Sequence, residues 1–448
     1  MSPAKIYHKI NQGEGMSSKE RILLVNGFVV DPANNFQGQA NVLIEEGKIA
    51  MVGKETPKAD LRIEAGGLYV LPGLIDMHVH LREPGHEEEE TIETGTRAAV
   101  AGGFTSVACM PNTHPAIDSE ATVDFVLRQA SEKGFCRVYP VGAITKNREG
   151  KELAEMGTMV RAGAVAFSDD GEGVGDTAVA YRAMQYATMF GKTIIQHCED
   201  FSLTNGGSMN GGWTATLLGL PGRPALAEQI MLYRDLILAE STECKYHAAH
   251  VSTAASVELI REAKKKGIKN ISAEATPHHL LLTDENCRNF DSNYKVAPPL
   301  RTAKDIAALK AGLADGTIDC LVTDHAPHCR EEKELEFLYA PFGIIGLEVA
   351  LPLYSKALID EKVLNWMDLV AKMTINPARI LGIDKGTLSV NADADVTLVD
   401  PNAPWTIDVD RFFSRSRNCP YHGWKVRGKV IGTLVAGQIR HNDGLKME

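Results

Sequence analysis

Two histidines one residue apart, His78 and His80, follow an apolar run in the stretch GLIDMHVHLREPG. The run has the length and character of a buried β-strand, and residues i and i+2 of a strand face the same side. Two imidazoles on one side of a strand end can bind one metal ion, and zinc takes such ligands. The pair therefore predicts a metal site where this strand ends.

Further ionisable residues recur where other predicted strands end. Each alone is ordinary, since a single histidine is more often packed or exposed than a ligand, and Asp169 and Asp170 before a glycine suit a turn. Together with the first pair they form a set: Asp169 or Asp170 after the fourth strand, His197 after the fifth, His250 after the sixth and Asp324 after the eighth. Four histidines and a bridging carboxylate suit two divalent ions, which activate water and polarise a carbonyl. Asp324 is then expected to move protons between that water and a leaving nitrogen.

The elements that must position these residues are strands alternating with helices. Apolar runs such as GFTSVACM and KTIIQHC are separated by amphipathic stretches such as ALAEQIMLYRDLILAE. About eight such repeats predict an α/β fold, a (β/α)8 TIM-like barrel, in which all strand carboxyl ends surround one mouth. An open doubly wound sheet is the alternative, but the first strand lacks the GxGxxG phosphate turn that would favour it.

Both ends of the chain are rich in short strands. RILLVNGFVVD near the start and WKVRGKVIGTLVAGQIR near the end combine apolar runs with turn signals. We expect residues 21–72 and 380–440 to form one small β-sandwich domain, and residues 73–379 to form the barrel. Residues 1–20 are polar and are expected to be a flexible tail in which Met16 is an alternative start.

Composition narrows the classes of partner. A net charge of −11 disfavours nucleic acid, and no apolar run is long enough to predict a membrane span. The 8 cysteines form no CxxC pair, which indicates free thiols and a cytoplasmic location. The charge run HEEEETIE (86–93) is expected to be a solvated helix start, and TNGGSMNGGW (204–213) a flexible insertion.

Nearly the whole chain, from about residue 21 to 440, resembles the class I bacterial dihydroorotases of the amidohydrolase superfamily. The motifs that carry the resemblance are GLIDMHVHLREPG, AGGFTSVACMPNT, FSDDGEGV, QHCED, HAAHVST, AEATPHHLLLT, LVTDHAPH and APFGIIGLE. The HxH pair alone indicates only the superfamily, whereas LREPG after it and MPNT downstream indicate dihydroorotase. The resemblance implies a small-molecule enzyme that interconverts N-carbamoyl-L-aspartate and L-dihydroorotate in de novo pyrimidine biosynthesis.

The resemblance also implies a role for each candidate residue. One zinc ion would be bound by His78, His80 and Asp324, and a second by His197 and His250. Asp170 would take the bridging place that a carboxylated lysine holds in many superfamily members, with Asp169 as the alternative and one or two zinc ions per chain left open. The residues implied to contact the substrate are Arg82 and Asn112, on its carboxylate, and His328, Phe342 and Gly343.

One position departs from the family pattern. The family often has an asparagine that contacts the substrate ring where this chain has Ala297, in YKVAPPLR. One alternative is another cyclic amidohydrolase (a dihydropyrimidinase, hydantoinase or allantoinase), against which Arg82 and the missing strand-four lysine argue. The other is a non-catalytic homologue that scaffolds aspartate transcarbamoylase, against which the complete ligand set argues. The resemblance implies a homo-oligomer, expected to be a dimer, and leaves association with aspartate transcarbamoylase open.

Overall fold

The structure, a computed structural model, describes residues 21–448, so the predicted tail (residues 1–20) lies outside the described residues. Within the described range, eight parallel strands form a nearly closed barrel, which confirms the predicted fold class. The first and eighth strands approach each other through a bridge between Val79 and His325. In chain order the barrel strands are Leu74–Val79, Phe104–Cys109, Arg137–Gly142, Ala166–Phe167, Thr193–Gln196, Lys245–Ala248, Ile271–Ala275 and Cys320–Leu321.

Helices alternate with these strands and cover the barrel. Several begin at a side chain that accepts a hydrogen bond from the first turn, as Thr91, Ser119 and Asp176 do. The longer helices are Ile92–Ala101, Glu120–Lys133, Met156–Ala162, Thr177–Thr188, Leu226–Thr242, Ala254–Lys265, Ala303–Ala314, Trp366–Met373 and Ile375–Leu381. Shorter ones are Phe201–Thr204, Trp213–Leu218, Pro277–Leu281, Arg330–Lys333 and Ala350–Tyr354. None of the helices within residues 21–448 has the length and apolarity needed to cross a bilayer.

The barrel interior is packed with side chains. Met77, Ala108, Val141, Ile195 and Val322 belong to one buried cluster to which strands around the barrel contribute. Such filled layers are typical of (β/α)8 barrels and hold the strands at fixed distances. The polar residues that follow each strand are therefore positioned by a rigid support.

Strands from both chain ends form a second, mainly antiparallel sheet, which has nine strands among the described residues. The segment Tyr69–Pro72 pairs with Ile22–Asp31 and with Val396–Thr406, so the two ends of the chain meet within this sheet. The small β domain is thus formed from both ends, as predicted. Its remaining strands are Phe36–Glu45, Lys48–Gly53, Leu61–Glu64, Lys425–Val435, Gln438–Asn442 and Lys446–Met447.

Part of the C-terminal region packs against the barrel instead of joining this sheet. Ile407, Cys419 and Tyr421 share a buried cluster with Phe337 and Ile344, which follow the last barrel strand. The Gly-rich segment 204–213, predicted to be an insertion, contributes the strand Met209–Asn210, which pairs with Gly222–Arg223. Both features lie near the mouth of the barrel, as the contacts described below show.

Candidate active site

His78 and His80 point to the same carboxylate. His78 Nε2 lies 3.4 Å from Asp170 Oδ1, and His80 Nε2 lies 3.5 Å from Asp170 Oδ2. Both imidazoles are almost fully buried. The spacing of two residues on a strand therefore brings both rings to one point, as the sequence predicts.

The other predicted ligands converge on the same place. His197 Nδ1 lies 2.9 Å from His250 Nε2, and these atoms are 3.7 Å and 3.5 Å from Asp170 Oδ1. Asp324 Oδ1 lies 3.0 Å from His80 Nε2 and 3.5 Å from His78 Nε2. The structure thus brings the six predicted ligands into one cluster, although they lie at the ends of five different strands.

Asp170 and Asp169 have different surroundings. Asp169 Oδ1 accepts hydrogen bonds from the backbone N–H groups of Ile144 (2.8 Å) and Thr145 (3.0 Å), and its Oδ2 accepts from the Thr145 hydroxyl. Its carboxylate is therefore occupied in holding the preceding strand end. Asp170, in contrast, lies among the histidines.

Several buried polar atoms in this cluster lack partners. Within residues 21–448, His78 Nε2 and Asp170 Oδ1 have no hydrogen bond, and burying such atoms unpaired is costly. Burial raises the pKa of Asp170, but the charge of His78 and the nearby imidazoles of His197 and His250 outweigh this, so that pKa lies well below its usual value. An ionised carboxylate among imidazole nitrogens is a donor set that zinc takes, so these residues fit a divalent metal ion.

The two histidines of the first strand are held from behind. His78 donates from Nδ1 to Glu274 Oε1 at 2.6 Å, and His80 donates from Nδ1 to Asn112 Oδ1 at 2.7 Å. Glu274 also lies 2.9 Å from His247 Nε2 and accepts from the backbone N–H of His250 at 3.1 Å. Such outer partners fix the ring orientation of metal-binding histidines. Sequence reasoning missed Glu274, although a glutamate inside the apolar strand ISAEA was a usable signal.

Three of the predicted site residues have unusual backbone conformations. Arg82, His250 and Asp324 have φ angles of 63°, 28° and 48°, in the left-handed region that side chains other than glycine rarely adopt. Strained conformations of this kind concentrate at functional sites, where the surrounding structure enforces them. They aim three side chains that follow different strands toward the mouth.

Arg82 is buried beside Glu89, an acidic residue of the charge run that was expected to be solvated. Its Nε lies 2.7 Å from Glu89 Oε2 and donates to the backbone oxygen of Pro327 at 3.0 Å. Glu89 and Glu90 are 7% and 0% exposed, so the predicted solvated charge run is wrong for these two. A charge run does not reveal which of its members finds a buried cation, and here Glu89 balances Arg82.

A cavity of about 320 Å³ adjoins this cluster. All the predicted substrate-contacting residues line it, together with Ala297: Arg82, Asn112, His328, Phe342 and Gly343. His328 donates from Nε2 to the backbone oxygen of Phe342 at 2.8 Å. Arg223, which sequence reasoning did not single out, lines the same cavity.

A segment from the C-terminal region, residues 413–418, supports this cavity and is here called the C-terminal strap. Asn418 donates from Nδ2 to the backbone oxygens of Ala326 (2.9 Å) and Gly343 (3.1 Å), and its Oδ1 accepts from the backbone N–H of His328 at 3.3 Å. Ser416 donates to the backbone oxygen of Glu89 at 2.8 Å. The strap thus holds the backbone of His328 and Gly343, two of the predicted substrate-contacting residues, and that of Glu89, which pairs with Arg82.

The chain is similar in sequence to known dihydroorotases. The family model described as "Dihydro-orotase-like" matches residues 67–256. A dihydroorotase of Syntrophus aciditrophicus is 50% identical over 94% of this chain and 100% of its own length. A dihydroorotase of Pelotomaculum thermopropionicum is 52% identical over 94% of this chain and 99% of its own length.

Among solved structures, an L-hydantoinase (dihydropyrimidinase) from Arthrobacter aurescens superposes with a TM-score of 0.86. It is 27% identical and covers 95% of this chain and 97% of its own. The fold is therefore shared with cyclic amidohydrolases of other specificity, whereas the sequence identity is about twice as high to dihydroorotases. The chain belongs to the dihydroorotase family, as the sequence motifs predict.

Proposed function

We propose that this chain is a zinc-dependent dihydroorotase, which interconverts N-carbamoyl-L-aspartate and L-dihydroorotate plus water in pyrimidine biosynthesis. The observation that carries the proposal is a buried cluster of four histidines and two aspartates adjoining a cavity that also contains a buried arginine. The first part suits hydrolysis of an amide, and the second suits a substrate with a carboxylate. Identity of about 50% to dihydroorotases over nearly the whole chain supports both.

We infer that one or two zinc ions bind per chain. His78, His80 and Asp324 would hold one ion, His197 and His250 the second, and Asp170 would lie between them. The unpartnered atoms of His78 and Asp170 support this assignment. The chemistry that zinc supplies when bound is activation of water and polarisation of a carbonyl.

Asp324 is the proposed proton carrier. In hydrolysis it accepts a proton from the attacking water and delivers it to the ring nitrogen as the C–N bond breaks. In synthesis it removes the proton from that nitrogen. Burial raises the pKa of Asp324, but the hydrogen bond with His80 and the charges of nearby histidines lower it overall, so the carboxylate is ionised and able to accept.

The substrate carboxylate is proposed to bind Arg82 and Asn112. Arg82 is held by Glu89 and Pro327, and Asn112 is held through its oxygen by His80, which leaves the Asn112 amide nitrogen as a donor. His328 and the backbone of Phe342 and Gly343 would contact the rest of the substrate. Fixed donors of this kind orient an anionic substrate at low entropic cost.

The direct test is conversion of dihydroorotate to carbamoyl aspartate by the purified, zinc-loaded chain. Asp324→Asn is expected to abolish the reaction while a folded protein with bound zinc remains. Activity that persists in this variant would remove Asp324 from proton transfer. No conversion of dihydroorotate by the wild-type chain with a full zinc complement would contradict the proposed function.

The alternative functions predict different results. A dihydropyrimidinase, hydantoinase or allantoinase would prefer dihydrouracil, hydantoin or allantoin, rings that have no carboxylate for Arg82. These substrates are included in the test because the L-hydantoinase has a similar fold. A non-catalytic scaffold for aspartate transcarbamoylase would hold less than one zinc per chain after purification with zinc.

We also propose that the chain forms a dimer with a second copy of itself. Leu226, Ile230, Tyr233 and Ile237 recur on one face of the helix Leu226–Thr242 and are 51%, 44%, 57% and 49% exposed. An exposed apolar stripe at helical spacing is typical of an interface. Light scattering should give a dimer for the wild type and for the control Tyr339→Glu, but a monomer for Tyr233→Glu. A monomeric wild type, or a dimeric Tyr233→Glu, would contradict the proposal, and adding aspartate transcarbamoylase tests association with that enzyme.

We propose a cytoplasmic location and a division of labour between the domains. All 8 cysteines are free thiols in the structure, which suits a reducing compartment. Residues 21–72 and 380–440 would support the barrel of residues 73–379, which holds every proposed ligand. Alkylation of the native and the unfolded protein with and without reductant would test the thiol state.

A further inference from the structure

Arg223 is a cation at the cavity wall to which the proposed function assigns no role. It ends the short strand Gly222–Arg223 and lines the same cavity as His80 and Ala297. Its side chain is 12% exposed, and its backbone oxygen accepts a hydrogen bond from Arg301 Nη1 at 3.0 Å. Arg223 is therefore fixed at its backbone and largely enclosed.

The guanidinium is held in one orientation. Nε donates to the backbone oxygen of Gly207 at 2.9 Å, and Nη1 donates to Glu199 Oε2 at 2.8 Å. The guanidinium carbon lies 4.1 Å from the centre of the Phe342 ring. The third nitrogen, Nη2, makes no hydrogen bond within residues 21–448. Because a guanidinium is planar, fixing two nitrogens and one face also fixes the direction of the third.

We propose that Arg223 is a substrate-binding residue that donates from Nη2 to the ureido oxygen, the carbonyl oxygen between the two ring nitrogens. The inference rests on the proposed function. The substrate carboxylate is assigned to Arg82, and the carbonyl that reacts must face the ligand cluster. The ureido oxygen is the remaining acceptor of the ring, and a charged donor at the wall of the same cavity is matched to it.

This contact also bears on the reaction. In hydrolysis the oxygen of water bonds to the amide carbon, and the C–N bond breaks with its electron pair passing to the ring nitrogen. That nitrogen shares the pair with the ureido oxygen until Asp324 delivers the proton. A fixed positive donor on the ureido oxygen stabilises this charge more than the ground state, which raises kcat as well as affinity.

The position of Arg223 relates to the one departure from the family pattern. Ala297 lines the cavity but has only a methyl group, which donates no hydrogen bond. A short side chain at the wall leaves room for a longer donor from elsewhere. Arg223 supplies such a donor from a different segment, one that sequence spacing does not connect with position 297.

The test compares two substrates with the zinc-loaded full chain: dihydroorotate and its 2-thio analogue, in which sulfur, a weaker acceptor, replaces the ureido oxygen. Arg223→Met is expected to lower kcat/KM for dihydroorotate by about 10- to 100-fold, but that for the thio analogue by less than about threefold. The preference for dihydroorotate over the thio analogue, which the wild type should show, is therefore expected to be lost in Arg223→Met. Arg234→Met is the matched control, because Arg234 donates to the backbone of Val174 and Gly175 and does not line this cavity.

Other outcomes would overturn the inference. Unchanged kinetics, or an equal loss for both substrates, would mean that Arg223 does not contact the ureido oxygen. Loss of zinc would mean that Arg223 acts through Glu199, whose Oε2 lies 3.5 Å from His197 Nε2. If Arg223→Met does not fold, Arg223→Lys keeps the charge but loses the planar fork, and the same comparison applies. A wild type that is inactive on dihydroorotate would refute the proposed function itself, which is a different result.

Discussion

Replacing Glu274 by glutamine is expected to weaken zinc binding, although Glu274 is not itself a proposed ligand. Glu274 is 0% exposed, and its carboxylate accepts from His78 Nδ1 at 2.6 Å and from the backbone N–H of His250 at 3.1 Å. It also lies 2.9 Å from His247 Nε2. Burial raises the pKa of Glu274, but the charge of His78 and hydrogen bonds from His247 and His78 lower it well below its usual value. The group is therefore a carboxylate, with two oxygens that only accept.

The size of the effect follows from these contacts. A glutamine keeps one acceptor oxygen and turns an amide nitrogen toward a remaining donor, so one buried N–H loses its partner. Loss of a carboxylate behind a metal-binding histidine costs about 10- to 100-fold in metal affinity. Each tenfold change corresponds to about 1.4 kcal/mol. The metal-free protein should also lose about 1–3 kcal/mol of stability from the unpaired donor.

The assay is competition for zinc with a chromophoric chelator, combined with urea unfolding of the metal-free protein. Glu228→Gln is the matched control, because Glu228 is 3% exposed and accepts from the backbone N–H groups of Ser252 and Thr253 at 3.2 and 3.1 Å. It should lose stability but keep its zinc affinity. If Glu274→Gln binds zinc as tightly as the wild type, Glu274 does not orient His78 for metal binding.

Three further predictions concern the C-terminal strap, the aspartate pair and Glu348. Asn418→Ala should raise KM for dihydroorotate by roughly tenfold with zinc retained, since three hydrogen bonds at His328, Ala326 and Gly343 are lost; steady-state kinetics would show an unchanged KM if the strap is irrelevant. Asp170→Asn should lower the zinc content, whereas Asp169→Asn should lower the melting temperature and keep its zinc. Metal counting and thermal melts test this, and loss of zinc from Asp169→Asn with full zinc in Asp170→Asn would contradict the assignment. Burial raises the pKa of Glu348 to about 7 from 4.5, so the folded state keeps a proton that the unfolded state releases. Wild-type stability should therefore fall relative to Glu348→Gln as pH rises from 4.5 to about 7, and parallel pH profiles from urea unfolding would contradict this.

Local pattern was enough to predict the barrel and the convergence of the strand-end residues at its mouth. The helix predicted from ALAEQIMLYRDLILAE (225–240) is observed as Leu226–Thr242, because apolar residues such as Met231, Leu232 and Leu236 recur on one buried face. The HxH pair and the other strand-end residues could be predicted because a parallel barrel brings every strand end to one mouth. Knowing that a residue follows a strand was therefore sufficient to place it near the mouth, but not to tell Asp170 from Asp169.

Most of the residues that sequence reasoning missed have partners far away in the chain. Glu89 is the exception, because it lies close to Arg82 in the sequence but was assigned to solvent with its charged neighbours. Arg223 reaches the cavity from a strand of two residues whose pairing no periodicity reveals. Asn418 contacts loops that precede it by many residues, and an asparagine near the end of a chain has no pattern that indicates such a role.

The C-terminal strap has a consequence for the order in which the protein becomes competent during synthesis. Every proposed zinc ligand lies at or before Asp324, so a ribosome delivers the complete ligand set before residues 413–418 emerge. The loops carrying His328 and Gly343 gain the hydrogen bonds of Asn418 only after residue 418 has been made. The proposed ligands are therefore all available before the proposed substrate-binding loops gain these supports.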